Sequence, residues 1–313
     1  CTDKKSLTII KYELAELKKY WGCSPMQYFT HDFYRKDCVL SLNEMKAYIP
    51  GYYFYYIIFP DYDDVKKVET FIENKIVSYF LFKGLEYQVS LAALIKRHGV
   101  FDPTGNAITS DLQLGNIFRN SQSEKLFIKP VEGRGGDGIY IARKKGENYY
   151  VNENKVNLDF INTLPGDFLF EYGINQSSYV SDVYSRSVNT LRLVTKRDLN
   201  TREISIVAVT LRMGCLGREV DNSHQGGLLL GIDIETGKPL SNYAVYEYGA
   251  ERFYSHPDSG YDFCDFAVKD WLNFRQEILS IANRMLLLNL VGWDIAITDD
   301  GPLVIEANTQ MGL

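Results

Sequence analysis

The twenty residues from Gly292 to Met311 constrain this chain more than any other stretch. Two apolar runs, Trp293–Thr298 and Leu303–Ala307, flank the turn Asp299-Asp300-Gly301. Such runs around a glycine-containing turn predict a β-hairpin. Glu306 and Asn308 are two residues apart, so both side chains face one side of their strand. A turn at Asp300-Gly301 puts Asp294 across from them. The residues between are Ile295, Ala296, Ile297, Val304 and Ile305. Carboxylates on such apolar strands are costly unless paired or metal-bound. Two carboxylates and an amide oxygen are hard ligands suited to Mg²⁺, which keeps its other positions for water and phosphates. Polar positions on the wet face of a half-buried sheet would give the same pattern, so the rest of the chain has to decide.

The second informative stretch is Phe127-Ile128-Lys129-Pro130-Val131-Glu132-Gly133-Arg134-Gly135-Gly136-Asp137-Gly138. Gly133, Gly135, Gly136 and Gly138 let backbone amides approach an anion closely. Lys129 ends the preceding strand, and Arg134 adds a cation at the loop tip. The Walker spacing is absent and no helix follows, which excludes a P-loop and a dinucleotide fingerprint. Strand-loop-strand points to a flap over a phosphate-bearing ligand; a plain glycine-rich hairpin is the competing reading. Arg192 lies within the strand run Thr190–Thr195, and Arg212 ends the next run, Ile204–Arg212. A guanidinium there can grip a phosphate or a carboxylate in two-point fashion. The loop Asp221–Gly227 could line the acceptor side. His224, within it, is read as a solvated loop residue.

Elsewhere, Ile9, Ile10, Leu14 and Leu17 have helical spacing, as do Val68, Phe71, Ile72, Ile76, Tyr79 and Phe80 across Lys66–Phe82. Leu91–Arg97 is expected to be a short helix stopped by Gly99, and Val268–Leu290 the longest helix. Tyr52–Phe59 is an apolar run of strand length, with Tyr53, Tyr55 and Tyr56 as core or sheet-face residues. Strands are expected over Lys125–Pro130, Ile139–Ala142, Leu169–Tyr172, Thr190–Thr195, Ile204–Arg212 and Leu228–Ile234. Hairpins mixed with helices predict an α+β fold rather than a doubly wound sheet.

A chain of 313 residues, 45% of them hydrophobic, can bury a core in roughly two domains. A net charge of −6 argues against broad binding to nucleic acid. No run of membrane-spanning length and apolarity occurs. Five scattered cysteines without a CxxC predict free thiols and a cytoplasmic setting, not disulfides or zinc. The sequence starts at Cys1 rather than Met, so a missing or processed N-terminus is expected.

Taken together, these residues resemble the ATP-grasp superfamily from about Asn74 to the C-terminus. In that superfamily one lysine stands before a helix in a "DK" context, and Asn74-Lys75 is similar, with Asn for Asp. A second lysine opens the flap, as Lys129 does. A hinge-strand glutamate lies near the adenine, and Phe170-Glu171-Tyr172-Gly173 looks similar. The closing Asp followed by "EAN" matches Asp294 and Glu306-Ala307-Asn308. The run from Ser187 to Arg192 and the pair Gly226-Gly227 look most like the sugar-transfer-associated group. For the ribose contact, Gln176 or Asp182 is expected. Relatives continue past the metal motif, so a further C-terminal piece is expected.

The resemblance implies two α+β subdomains clamping ATP between antiparallel sheets. Residues 1–65 would be a helical accessory segment, 66–172 the small subdomain with the flap, and 173–313 the subdomain with the metal site. Lys75, Lys129, Glu171, Tyr172 and the loop would hold ATP. Asp294, Glu306 and Asn308 would hold two Mg²⁺, and Arg192 and Arg212 would serve the transfer. The implied activity joins a small-molecule or glycan carboxylate to an amine, with a link to polysaccharide biosynthesis. A kinase of the same fold and a non-catalytic nucleotide- or glycan-binding module are the alternatives.

Overall fold

The computed structural model describes residues 3–63, 65–133, 137–219, 221, 226–247, 251–309 and 311. Its strands form two seven-stranded sheets in which all neighbours are antiparallel. The first is built from β1 (Ala92–Lys96), β2 (Val100–Phe101), β3 (Lys125–Pro130), β4 (Tyr140–Lys145), β5 (Asn148–Val151), β6 (Asn154–Lys155) and β7 (Phe168–Tyr172), in the order β2-β1-β7-β3-β4-β5-β6. The second contains β8 (Thr190–Arg197), β9 (Ile204–Met213), β10 (Leu228–Gly231), β11 (Ala244–Tyr246), β12 (Arg252–Phe253), β13 (Leu290–Thr298) and β14 (Gly301–Asn308), ordered β12-β11-β10-β9-β8-β13-β14. The expected α+β class holds, and so does the expectation of more than one antiparallel sheet.

Side-chain alternation gives each sheet an apolar face that packs on its own helix. In the first, Leu126, Ile128, Phe168 and Phe170 pack with Leu114 and Phe118 of helix Asp111–Arg119. In the second, Leu191, Leu193, Leu211, Trp293 and Ile295 pack with Ile278 and Ile281 of helix Trp271–Arg284. Helix Lys75–Gly84 sits between the sheets. Its Tyr79 packs on Ala92, Ile95 and Leu169 of the first, and its Phe82 joins the core of the second. The amide of Val304 on β14 donates to the carbonyl of Gln88 at 2.8 Å, fixing that edge strand against the approach to β1.

Four expectations fail for identifiable reasons. Leu91–Arg97 is mostly strand β1, buried along Ala92–Ile95, not a helix. Tyr52–Phe59 is helical, from Gly51 to Tyr62, with a π-turn at Phe54–Ile58. The helix expected to reach Leu290 stops at Arg284. Leu286 is exposed, Leu290 already belongs to β13, and helix Leu7–Trp21 is one residue longer. The run Lys66–Phe82 is two helices, Val65–Glu73 and Lys75–Gly84. Asn74 separates them, because its side chain caps the second by accepting from the amides of Ile76 and Val77.

Before residue 65 the chain builds a small core of Leu17, Tyr28, Phe33 and Met45, under helix Leu7–Trp21. The following helical stretch crosses to the second sheet. Phe54 and Phe59 pack on Val194, Leu290 and Met311. The Asp63 carboxylate accepts from the amides of Asn289 and Leu290, fastening this segment to the start of β13.

Candidate active site

A cleft open to solvent lies between the sheets; Lys75, Ser90, Lys129, Glu171 and Glu306 line it. Alternation on β3 and β7 explains the first wall. Phe127 pairs with Glu171 and Lys129 with Leu169, so Lys129 and Glu171 share the cleft face diagonally. Lys129 Nζ lies 2.5 Å from a Glu171 oxygen, and Ser90 Oγ donates to the other at 2.7 Å. Ser90 gave no sequence signal, being a lone serine in an apolar run.

Lys75 enters as the first residue of its helix. A helix N-terminus favours anions, and the lysine adds a full charge at the same spot. Its ammonium donates to the Gly133 carbonyl at 2.7 Å, which ties the helix start to the flap. Burial pulls its pKa down, against the pull of Glu306. Gly138 is left-handed, with φ +73°, and an added Cβ would meet Pro130 at 3.1 Å. Gly133 has more room. Arg134, Gly135 and Gly136 lie outside the described residues, as does His224.

The second wall is the predicted hairpin. Asp294 pairs directly with Glu306, and Gly292 with Asn308, so the three predicted ligands share a face. Sheet order brings both arginines to that face as well. Asp294 opposes Arg192 across β13 and β8, and Thr190 opposes Arg212 across β8 and β9. Arg192 clamps Asp294 with two bonds, Nε to Oδ1 at 2.6 Å and Nη2 to Oδ2 at 3.0 Å. Arg212 Nη1 adds contacts of 3.2 and 3.3 Å to the two oxygens. Burial raises the Asp294 pKa, but the two guanidinium groups outweigh it and hold the carboxyl below its usual range. Sequence reasoning placed these residues in one site; it did not foresee that they touch one another.

Glu306 behaves oppositely. Burial, reinforced by Asp294, raises its pKa despite Lys75 and Lys129. The Asn308 amide nitrogen is buried with no protein partner among the described residues. Which end of an asparagine amide is oxygen is assigned from its partners. That unpartnered end, beside Glu306, fits a cation or a cation-held ligand. Mg²⁺ needs only one or two carboxylates, so Glu306 and Asn308 are suitable donors, with Asp294 shared with the arginines. Among the described residues no three His, Cys, Asp or Glu side chains form a metal cluster.

Two expected contacts do not reach the cleft. The Tyr172 side chain points to the opposite face, where it packs in the first core and donates to the Ile117 carbonyl. Burial there pushes its pKa up to about 12. Its amide is bonded to the Leu91 carbonyl. Gln176 is fully used by backbone: its nitrogen donates to Tyr184 and Ser187, and its oxygen accepts from the amide of Asn189. Asp182 is exposed. The structure adds Asp221, whose carboxylate accepts from the Thr190 hydroxyl and which burial pushes up in pKa, with Arg212 opposing.

A family model described as "Sugar-transfer associated ATP-grasp" matches residues 66–313. No curated protein matches the sequence. Similar solved structures include N5-carboxyaminoimidazole ribonucleotide synthetase from Thermotoga maritima, at 12% identity over 79% of this chain and 44% of that one, with a TM-score of 0.41. D-alanyl-alanine synthetase A from Vibrio cholerae shows 14% identity over 76% and 55%, with a TM-score of 0.43. D-alanine–D-alanine ligase from Bacillus anthracis shows 11% over 76% and 57%, with a TM-score of 0.40. This chain spans about half the length of these proteins. Such distant likenesses carry no argument about its reaction.

Proposed function

This chain belongs to the sugar-transfer-associated ATP-grasp family, and from that premise we propose that it is an ATP- and Mg²⁺-dependent ligase that activates a carboxylate as an acyl phosphate and passes the acyl group to an amine. The observation that carries this reading is the convergence of Lys75, Lys129 and Glu306 on one cleft, with Arg192 and Arg212 on the same sheet face as Glu306. We take 66–172 and 173–313 as the clamping subdomains and 1–65 as accessory. Free thiols at Cys23, Cys38, Cys215 and Cys264 support a reducing, cytoplasmic setting. The family description supports a substrate connected with glycans.

In this mechanism Lys75, the start of its helix and Lys129 hold the triphosphate. Glu306 and Asn308, with Asp294, would hold two Mg²⁺, which supply charge neutralisation between the triphosphate and an incoming carboxylate. Phosphoryl transfer depends mainly on such positioning and electrostatics. The acid's oxygen forms a bond to the γ-phosphorus as the bond to the ADP oxygen breaks. Arg212 and Arg192 steady the charge on the phosphoryl oxygens. The amine nitrogen then attacks the acyl carbon, phosphate leaves, and the nitrogen's proton goes to solvent. The flap shields the acyl phosphate from water. No side-chain nucleophile is needed.

The test is a panel of uronic acids and amino acids with an ADP readout. ADP and phosphate should appear only when acid and amine are both present, and hydroxylamine should trap a hydroxamate. A stable phosphorylated product would replace this reading with a kinase. ATP binding without turnover of any acceptor would leave a binding module. Glu306→Gln should abolish turnover while the fold persists; full activity would sink the metal assignment.

A further inference from the structure

Arg192 and Arg212 are ligands of Asp294 here, yet the reaction requires Asp294 to face a metal and the arginines to face an anion. Arg192 spends both Nε and Nη2 on the Asp294 carboxylate, and Arg212 adds Nη1. A carboxylate offers about four lone-pair sites, so little is left for a cation while both arginines hold on. Arg212 is only partly used. Its Nε is buried with no partner among the described residues. Glu306 and Asn308, by contrast, stand beside Asp294 on the neighbouring strand, and the Asn308 amide nitrogen is left without a partner among the described residues.

We propose that the Asp294 carboxylate is exchanged between partners: the two arginines hold it until metal-bearing nucleotide, seated on Glu306 and Asn308, takes it from them. The released guanidinium groups then form the binding site for the acidic substrate, a carboxylate and afterwards its acyl phosphate. Nucleotide–metal binding therefore creates the acid's subsite, and the acid binds second. This rests on the metal-dependent ligase reading above.

Charge explains the clamp. Without it, Arg192 and Arg212 would be two buried cations on one strand pair, and Asp294, only 7% exposed, an unpaired buried anion. Each of those states is strongly disfavoured. The clamp also keeps stray anions off the arginines until a counter-cation is present for Asp294.

The test uses the full chain and Mn²⁺ alone, followed by the loss of the free-ion electron paramagnetic resonance signal. Arg192→Gln should tighten Mn²⁺ binding at least roughly tenfold, the equivalent of one lost hydrogen bond to a charged group. Lys129→Gln is the control, since it removes a cation facing Glu306 without touching Asp294. A gain with Arg192→Gln no greater than the control overturns the exchange. Glu306→Gln should abolish Mn²⁺ binding; if it does not, the metal assignment itself fails, a different outcome from loss of the exchange alone. Should Arg192→Gln not fold, a crystal structure of the native chain with Mn²⁺ and ADP decides. The Arg192–Asp294 bonds should then be broken, and their persistence beside bound metal refutes the proposal. Inorganic phosphate, as a surrogate anion, should bind at least about tenfold more tightly with Mn²⁺ and ADP present, and Arg212→Gln should erase that gain. Phosphate binding that ignores Mn²⁺ and ADP would also overturn it.

Discussion

Asp294→Asn separates a structural carboxylate from one that merely waits for a metal. An aspartate awaiting a metal, with no protein partner, would cost the fold energy, so replacing it would leave the metal-free chain as stable or more so. The observed Asp294 instead carries four contacts, between 2.6 and 3.3 Å, from two arginines. The side chains of Arg192 and Arg212 are only 17% and 12% exposed. Asparagine keeps one acceptor and turns an amide toward guanidinium donors, leaving two buried cations without the counter-charge that Asp294 supplies. Removing one partner of such a buried group costs about 3–5 kcal/mol. For a chain of this size that is a fall in Tm of about 5–8 °C. The pH dependence follows from the depressed Asp294 pKa. A carboxylate whose folded pKa lies below its unfolded value, about 3.9, contributes stability above that value and loses it as pH falls through the folded pKa. Circular dichroism melts of the metal-free native chain and the Asp294→Asn variant should thus differ most at neutral pH and converge in acid. A variant that melts within about 2 °C of the native chain at neutral pH, an allowance of about 1 kcal/mol, would refute the clamp.

Three further outcomes are expected. Lys129→Met should weaken ADP binding in the presence of Mg²⁺ by at least about tenfold by calorimetry, since a charge-assisted bond is lost; an unchanged Kd would remove Lys129 from the nucleotide site. Asp63→Ala strips the acceptor from the amides of Asn289 and Leu290 and should cost about 2–4 kcal/mol in urea melts, whereas Asp63→Asn, which keeps one acceptor, should cost less. Gly292→Ala places a Cβ 2.6 Å from that of Met311 and should destabilise by about 1–3 kcal/mol. A neutral effect there would show that the C-terminal residues yield easily.

The parts of the site that lie on alternating strands were legible in the sequence. Asp294, Glu306 and Asn308 follow a period of two beside a recognisable turn, and Lys129 ends a strand that opens a glycine loop. The same rule shows why Tyr172 could not join Glu171 in the cleft, since adjacent strand residues face opposite ways. Leu91–Arg97 misled because β1 is buried on both faces, so its apolar run has no period that separates strand from helix. Tyr52–Phe59 misled for a related reason: its aromatic residues divide between the second sheet, through Phe54 and Tyr55, and solvent, where Tyr52 and Tyr56 stack. The Arg192–Asp294–Arg212 contact was out of reach because it depends on the order β9-β8-β13-β14, which connects residues about a hundred positions apart. Asp221 was hidden likewise, in a loop whose carboxylate returns to Thr190.

Charge in the site explains why both sheets are needed. Lys75, Lys129, Arg192 and Arg212 stand with Glu171, Asp221, Asp294 and Glu306, four cations with four carboxylates, in a chain of net charge −6. A bare tetra-anionic nucleotide gains little from such a balanced site beyond local contacts, because longer-range fields fade over about 8 Å at physiological salt. The first sheet and the Lys75 helix bring Lys129 and Lys75, while β14 brings Glu306, whose pKa burial raises, with Asp294 adding to the rise. On the proposed function, a nucleotide carrying divalent ions would meet both demands at once, with its phosphates toward the lysines and its cations toward Glu306. The helix that starts at Lys75 is packed against both sheets. On that proposal the cleft is matched to a ligand that is nearly neutral overall and strongly polarised along its length.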